Sequence, residues 1–573
     1  MYIAGIDVGG TNTDAALIKD NEVVATGKVP TDHANLVEST AAALESILGS
    51  YRDTEPLELH LSTTLSTNTI IEGRGDPTFV LAVPGPGMRI EDLHLGFSVH
   101  KLSGSVDHRG REVAALNPGE ITAALTSARD AGIEVMAAVG KFSHRNPSQE
   151  LLIESIARDG NYGFRHITLG HRLSGRPNFP RRLATSYLNA SVSGQQARFV
   201  EMVKQLMLEG RNIGRVYLLK ADGGTMTLGD SLARPVETIL SGPAASLMGA
   251  RALTSHRQGN AVIVDIGGTT TDIAVQVAGE PVFQPQGAEI AGHKTLVPAL
   301  FARSIGLGGD SEIRIISQVE SGEGGPNLLI GPRRAGTPAA LGGSRATPTD
   351  AAVVLGLTSI GDARRAWKVM AGLASALGMG IEETARKVID RFTRQLVDAV
   401  EEIYAYLESR PVYTVSELLA PPDIRPRTLI GLGGPAHVFI PLAAKAMGID
   451  WEVLPHHEEA NAIGAAASRP TAAITYHADT ALGVVTVPEM DYMGKIHRPM
   501  FFDLKKAREE ARRWAAEKAA ELGITGPEDI AVLGEESFNM VRGFYTVGWI
   551  FTIRAQVRPR VRRIAAAGEG GRN

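Results

Sequence analysis

Two segments of this chain carry the same residue types at the same spacing. Ile6-Asp7-Val8-Gly9-Gly10-Thr11-Asn12-Thr13-Asp14 is answered 258 residues later by Val264-Asp265-Ile266-Gly267-Gly268-Thr269-Thr270-Thr271-Asp272. Paired glycines let backbone N–H groups approach a phosphate without a Cβ in the way. Threonine hydroxyls add donors, and an aspartate can hold Mg²⁺ directly or through water. Each segment follows an apolar run and leads into another, Ala15-Ala16-Leu17-Ile18 and Ile273-Ala274-Val275. That pattern is strand, tight glycine turn, strand, with the tip open to a ligand. Two such hairpins predict a duplicated α/β unit with one nucleotide clamped between the halves.

The elements that must position these turns follow from periodicity. Residues 35–48 form a helix with Leu36, Thr40, Ala43, Leu44 and Ile47 on one face. Strands are expected at 59–64, 79–83, 135–139 and 216–219, and helices at 119–131 and 148–158. Residues 181–208 read as one long helix, and 381–407 as another with a continuous apolar stripe. Residues 317–348, rich in Gly, Pro and Arg, read as a long loop near the site. Asp503 caps a helix that Gly523 ends. Ile553, Ala555 and Val557 alternate with polar residues beside Arg554, Arg558, Arg560, Arg562 and Arg563. That tail is expected to be an edge strand guarded by charge rather than a nucleic-acid patch, or else a dock for a partner subunit. His456-His457-Glu458-Glu459 is expected to be a solvated loop, because neighbouring residues converge poorly on one metal ion.

Composition sets the outer limits. The 573 residues predict two to four domains: 1–180 with the first hairpin, 181–470 with the second, and a C-terminal α+β appendage over 471–573. The 63 glycines exceed the roughly 40 expected at ordinary frequency, which suits a protein that handles phosphate with its backbone. Apolar residues at 43% and charged residues at 21% are ordinary for a globular protein. A net charge of −5 supplies no basic field for nucleic acid. There is no cysteine, which excludes thiolate catalysis, Cys-ligated zinc and Cys-ligated iron–sulfur clusters in this chain. No apolar run is long enough to span a membrane, so a cytoplasmic enzyme is expected.

A third element, Leu429-Ile430-Gly431-Leu432-Gly433-Gly434-Pro435-Ala436, reads as strand, glycine pair and helix, with Gly433 and Gly434 beside the adenosine. Asn461-Ala462-Ile463-Gly464-Ala465-Ala466-Ala467 reads as a close-packing helix between domains. In this order the elements resemble the actin, Hsp70 and sugar-kinase ATPase superfamily. The resemblance implies duplicated ribonuclease-H-like domains around an interdomain cleft. It sharpens to the A-type, ATP-dependent proteins of the hydantoinase/oxoprolinase family. Further blocks carry it: Phe142-Ser143-His144-Arg145-Asn146-Pro147, Arg182 to Ala190, Ala221-Asp222-Gly223-Gly224, Ser241-Gly242-Pro243-Ala244-Ala245 and Ser304-Ile305-Gly306-Leu307-Gly308-Gly309-Asp310-Ser311. The resemblance covers roughly residues 1–470.

It implies ATP and Mg²⁺, with a cyclic amide activated at its carbonyl by phosphorylation. A B-type partner subunit, a small-molecule substrate and an oligomer are implied as well. Gly9, Gly10, Thr11, Asn12 and Thr13 fall on one side of the phosphates, and Gly267, Gly268, Thr269 and Thr270 on the other. Asp7 and Asp265 carry Mg²⁺ or orient water. Asp14 and Asp272 are either further metal groups or caps on their turns. Thr63, Thr64, Asn68, Arg303 and Asp310 belong to the substrate side. There the chain departs from the family pattern: Leu61-Ser62 replaces His-Gly, Arg303 replaces a histidine, Asp310 replaces a glycine, and a Cys-bearing stretch gives way to Pro338-Ala339-Ala340-Leu341-Gly342. Two imidazoles are lost, and arginine cannot act as a base in their place. The same scaffold also serves ATP-dependent ketone carboxylases and small-molecule kinases. An ATP-switch module is the non-enzymatic alternative, although the superfamily's radical-enzyme activators need cysteines.

Overall fold

The computed structural model describes residues 1–573 apart from 33–35, 52–54, 209–211, 256–257, 285, 317–326, 410–422, 525–528 and 566–573. Two mixed sheets repeat one topology. In the first, Tyr2–Val8 pairs antiparallel with Asn12–Lys19, which pairs with Glu22–Pro30. On its other side Tyr2–Val8 pairs parallel with Leu57–Thr63, and that strand with Ile213–Leu219. In the second, Ala261–Ile266 pairs antiparallel with Thr271–Val277 and parallel with Thr428–Leu432, which pairs with Asp450–Val453. The first sheet therefore draws Ile213–Leu219 and Thr225–Thr227 from beyond residue 180, where the sequence placed a boundary. The reason is an insertion. Four parallel strands, His166–Leu169, Val135–Gly140, Thr78–Val83 and His100–Lys101, form a separate sheet between the fourth and fifth strands of the first lobe. Alternation sets its two faces: Leu81, Val83, Met136 and Ala138 pack on helices Pro118–Asp130 and Ser148–Asp159, while Val80, Ala82, Ala137 and Val139 pack on Phe179–Ser191.

Two helices lie between the lobe sheets, Ser241–Leu253 and Ala460–Ala467. They share one core with Ile3, Ala16 and Ile18 of the first sheet and Ala261, Ile263, Ile430 and Leu432 of the second. Small residues let them approach this closely. A Cβ on Gly464 would stand 2.1 Å from the Ala245 carbonyl oxygen, and one on Gly249 would stand 2.1 Å from that of Ala460. Gly5 is equally tight, with a Cβ 2.0 Å from the Ala462 oxygen. On the outer face of the second sheet, helix Ile381–Glu408 buries Ala385, Val388, Ile389, Phe392, Leu396, Val400, Ile403 and Tyr404. Phe392 stacks on Phe439 with ring centroids 3.7 Å apart.

Three expectations from sequence are corrected. The helix expected over 181–208 is two helices, Phe179–Ser191 and Ser193–Leu208, broken at Val192. Ser191 and Ser193 turn their hydroxyls onto the Leu188 and Ala190 carbonyls, and the Gly194 N–H donates to Asp76, so local bonds compete with the helix ladder. The long loop expected over 317–348 instead holds a strand, Asn327–Arg334, paired with Ser311–Ile316, and the start of helix Pro348–Val354; residues 317–326 lie outside the described residues. The arginine-bearing strand Tyr545–Val557 is interior rather than an edge, flanked by Ala473–Asp479 and Ile530–Arg542. It is drawn inward because Phe551, Ile553 and Ala555 pack against helix Leu504–Glu521, whose Asp503 cap accepts from the Lys506 N–H.

Replacing Gly464 or Gly249 with alanine is expected to destabilise the chain by about 1–3 kcal/mol in chemical denaturation, the usual cost of overpacking. Gly372→Ala, on the exposed face of helix Ala363–Leu377 with nothing near its Cβ position, is expected to stabilise it by about 0.5–1 kcal/mol.

Candidate functional site

Strand pairing decides where the aspartates point. Residues directly opposite on neighbouring strands share a face, and the register sets Asp7 opposite Asp14 and Asp265 opposite Asp272. Each hairpin therefore offers two carboxylates on one face, at the tip where its glycine turn begins. The turns close alike, with the Gly9 N–H donating to the Asn12 carbonyl at 3.1 Å and the Gly267 N–H to that of Thr270 at 2.9 Å. Both tips open into one cleft of about 960 Å³ between the lobes. All four aspartates line it.

Burial dominates the electrostatics. It lifts the Asp7 carboxyl to about 6, and nearby Asp265 adds to the rise. Asp14 and Asp272 are each raised to about 7, burial again leading, with the neighbouring aspartates contributing. Burial also raises Asp265, although the Ser246 hydroxyl donates to its Oδ2 at 2.7 Å and the Asn461 amide at 3.2 Å. Ser304 donates to Asp272. Lys28 is the nearest cation, 3.5 Å from both Asp14 and Glu458. Asp7 Oδ1 is buried without a hydrogen bond of normal geometry.

These oxygens suit Mg²⁺. It takes one or two carboxylates and completes its octahedron with waters and phosphate oxygens, so it needs no all-protein cage. Consistent with that, no three His, Asp or Glu side chains among the described residues converge closely enough to hold a metal unaided.

The third element forms an adjoining wall. The Gly433 N–H donates to the His457 carbonyl at 2.8 Å. Gly433 adopts φ +82, and a Cβ there would lie 2.2 Å from the Ile266 oxygen, so the turn has to be glycine. This contact draws the segment 456–459 to the rim of the site, where it forms a solvated turn as expected and Glu458 lines the cleft with its side chain about half exposed. Leu240, held at φ +65, precedes helix Ser241–Leu253, whose Gly242 and Pro243 also line the cleft.

Of the residues singled out from sequence, Gly9, Gly10, Thr11, Asn12, Gly267, Gly268, Thr270, Gly433 and Gly434 line the cleft, as do Thr64, Asn68, Arg303 and Asp310. Thr13 does not: it is fully buried, its hydroxyl 2.9 Å from that of Thr31. Thr63 is buried as well, its carbonyl accepting from the Ser241 hydroxyl at 2.9 Å, so it fastens the end of its strand. Thr269 is outside the lining. Arg303 pairs with Glu402 at 3.3 Å. Sequence reasoning missed Lys28, Ser246, Ser304, Arg334 and Asn461. Ser246 directly follows a quoted block and Asn461 opens one, which was the available signal. For Arg334 the signal was its place in the arginine-rich stretch expected to be a loop near the site, which did not single it out.

Residues 182–474 match the family described as hydantoinase/oxoprolinase, and residues 3–160 match its N-terminal region. The caprolactamase subunit alpha of Pseudomonas jessenii is 24% identical over 79% of this chain and 68% of its own length. The acetophenone carboxylase gamma subunit of Aromatoleum aromaticum is 25% identical over 61% of this chain, which spans about half of that relative. Among solved structures, the ATP-dependent caprolactamase of P. jessenii superimposes with a TM-score of 0.72 at 20% identity, covering 98% of this chain and 88% of that one. Nucleotide-free acetone carboxylase gives 0.66 at 17% identity with the same coverage. With both regions of the family matched in order along a duplicated, cleft-bearing α/β fold, the chain belongs to the hydantoinase/oxoprolinase family.

Proposed function

We propose that this chain is the ATP-dependent subunit of a cyclic amide hydrolase, which activates the amide carbonyl by phosphorylation and works with a B-type partner. The observation that carries the reading is the pair of aspartate-bearing hairpins opening into one cleft. Related chains named as caprolactamase subunit alpha and acetophenone carboxylase gamma subunit support a multi-subunit assembly, and the likeness to the solved ATP-dependent caprolactamase supports the ATP chemistry.

Amide resonance makes the carbonyl a poor electrophile. In the proposed reaction the amide oxygen attacks the terminal phosphorus of ATP, the bond to the bridging oxygen breaks, and ADP leaves with the electron pair. Water then adds to the imidate carbon, the ring C–N bond breaks with the nitrogen taking up a proton, and a second water hydrolyses the resulting acyl phosphate to the carboxylate and free phosphate. The chain's task is positioning and charge stabilisation. N–H groups at the tips of the two turns hold phosphate oxygens from both lobes, while those of Gly9 and Gly267 close the turns onto Asn12 and Thr270. Mg²⁺, when bound, neutralises charge on the transferring phosphate, and Asp7 and Asp265 are the carboxylates to hold it, with Ser246 and Asn461 fixing Asp265. Gly433 and Gly434 make room for the adenosine. Thr64, Asn68 and Arg303 stand on the substrate side of the cleft.

A ketone carboxylase is the second reading, favoured by the acetophenone carboxylase relative. The products separate the readings. A ring-opened acid with ADP and phosphate supports the amidase, bicarbonate-dependent ATP cleavage with a ketone supports the carboxylase, and a stable phosphorylated metabolite supports a kinase.

Asp7→Asn and Asp265→Asn are each expected to slow ATP cleavage by about 10²–10³-fold, the range for removing one group that stabilises transition-state charge. Wild-type rates in both variants would overturn the assignment. A second expectation concerns pH. An unfolded aspartate titrates near ~3.9, whereas Asp272 titrates at about 7 in the native chain. Between those values the native state holds a proton that the unfolded state has released, so this carboxyl lowers apo stability as pH rises to 7. Asp272→Asn is therefore expected to melt higher than wild type at pH 8 and alike at pH 4. Nucleotide binding with Mg²⁺ by the wild-type chain is expected to strengthen from pH 6 to pH 8, as measured by calorimetry.

A further inference from the structure

One cation bridges the two phosphate turns. Arg334 ends the strand Asn327–Arg334 and reaches into the cleft. Its Nη2 donates to Asp310 Oδ2 at 2.8 Å, and its Nη1 donates to Thr11 Oγ1, 323 residues away, at 3.1 Å. Asp310 is itself built onto the second turn. Its N–H donates to the Gly268 carbonyl at 2.7 Å, the Gly309 N–H donates to that of Gly267 at 3.0 Å, and a Cβ on Gly268 would stand 2.6 Å from Asp310 Oδ2. The carboxylate fixes one edge of the guanidinium. The other edge rests on a neutral hydroxyl at the tip of the first turn, and about a third of the side chain stays exposed in the cleft.

A neutral hydroxyl is a weak partner for a guanidinium, and a phosphate oxygen is a much stronger one. Charge-assisted bonds are roughly twice as strong as neutral ones, and the planar fork matches two phosphate oxygens at once. Resting on the proposed ATP chemistry of this cleft, we infer that Arg334 is a catalytic cation of the phosphoryl-transfer centre, exchanging its Thr11 contact for oxygens of the terminal phosphate while Asp310 holds its orientation. The terminal phosphate is the group a cation between both glycine turns would meet, because those turns grip the chain of phosphates from its two sides. Arginine in such a position stabilises the charge spread over the transferring group and does not titrate. Asp310 is a positioning residue for it.

The test uses the full-length chain and two nucleotides, ADP and a non-hydrolysable ATP analogue, each with Mg²⁺, followed by single-turnover cleavage of ATP. Arg334→Ala is expected to bind the triphosphate analogue about 10-fold more weakly, to leave ADP affinity within about 3-fold, and to cleave ATP about 100-fold more slowly, a loss of the size seen when one charge-stabilising group is removed. Guanidinium added to this variant is expected to restore part of the rate. Asp310→Asn, which loosens the same side chain without deleting its charge, is expected to lose less. If Arg334 only ties the empty lobes together, Arg334→Ala shifts both affinities alike and guanidinium restores nothing, which overturns the inference. An unchanged cleavage rate in Arg334→Ala overturns it as well. A wild-type chain that binds neither nucleotide sinks the proposed function and this role with it, and that outcome is visible before any variant is made.

Discussion

The structure turns on four aspartates gathered where two hairpins meet, Asp7 buried and the other three partly buried in the cleft wall. Each hairpin contributes two carboxylates through a register that places them opposite each other, and closure of the lobes brings the two pairs into one cleft. Burial without a matching set of cations raises the carboxyls of Asp7, Asp14 and Asp272 toward neutrality, with Lys28 the nearest counter-charge. Groups of this kind are costly to keep unless something supplies positive charge to them. A magnesium nucleotide, the ligand proposed for this cleft, would supply that charge.

The cleft exists because the lobes can come close. Helices Ser241–Leu253 and Ala460–Ala467 cross between the sheets with backbone against backbone, at positions where no side chain larger than hydrogen fits. Both helices also reach the site. Ser246 and Asn461 project from them onto Asp265, so the elements that set lobe spacing also orient a carboxylate. Lobe spacing and the orientation of Asp265 are thereby tied to the same small-residue packing.

Most departures of this chain from the family pattern, Arg303, Asp310 and the stretch from Pro338, lie on the second lobe's side of the cleft. Leu61, where the family has histidine, is buried core rather than site. Arg303 pairs with Glu402 of the long outer helix. Asp310 holds Arg334. The imidazoles are thus not replaced by other bases. One gives way to a core residue and the other to a cation held by a carboxylate, while Asp310, in place of a glycine, adds a carboxylate that holds a second cation.

Local pattern settled a great deal. The apolar runs on either side of each hairpin turn, the glycine pairs and the stripe of helix Ile381–Glu408 are properties of neighbouring residues, so strand, turn and buried face were all legible in the chain. Where short-range bonds outcompete a propensity, as at Val192, or where a strand's place depends on what pairs with it, as for Asn327–Arg334 and Tyr545–Val557, the pattern alone misled. The contacts that give the cleft its character join residues far apart in the chain: Asn461 to Asp265, Lys28 to Glu458 and Arg334 to Thr11. No local periodicity encodes such pairs. The sequence by itself determined two matching glycine and threonine turns and the family they belong to; only tertiary packing decided that their aspartates share one cleft and that a single guanidinium spans them, because those facts depend on how the lobes close.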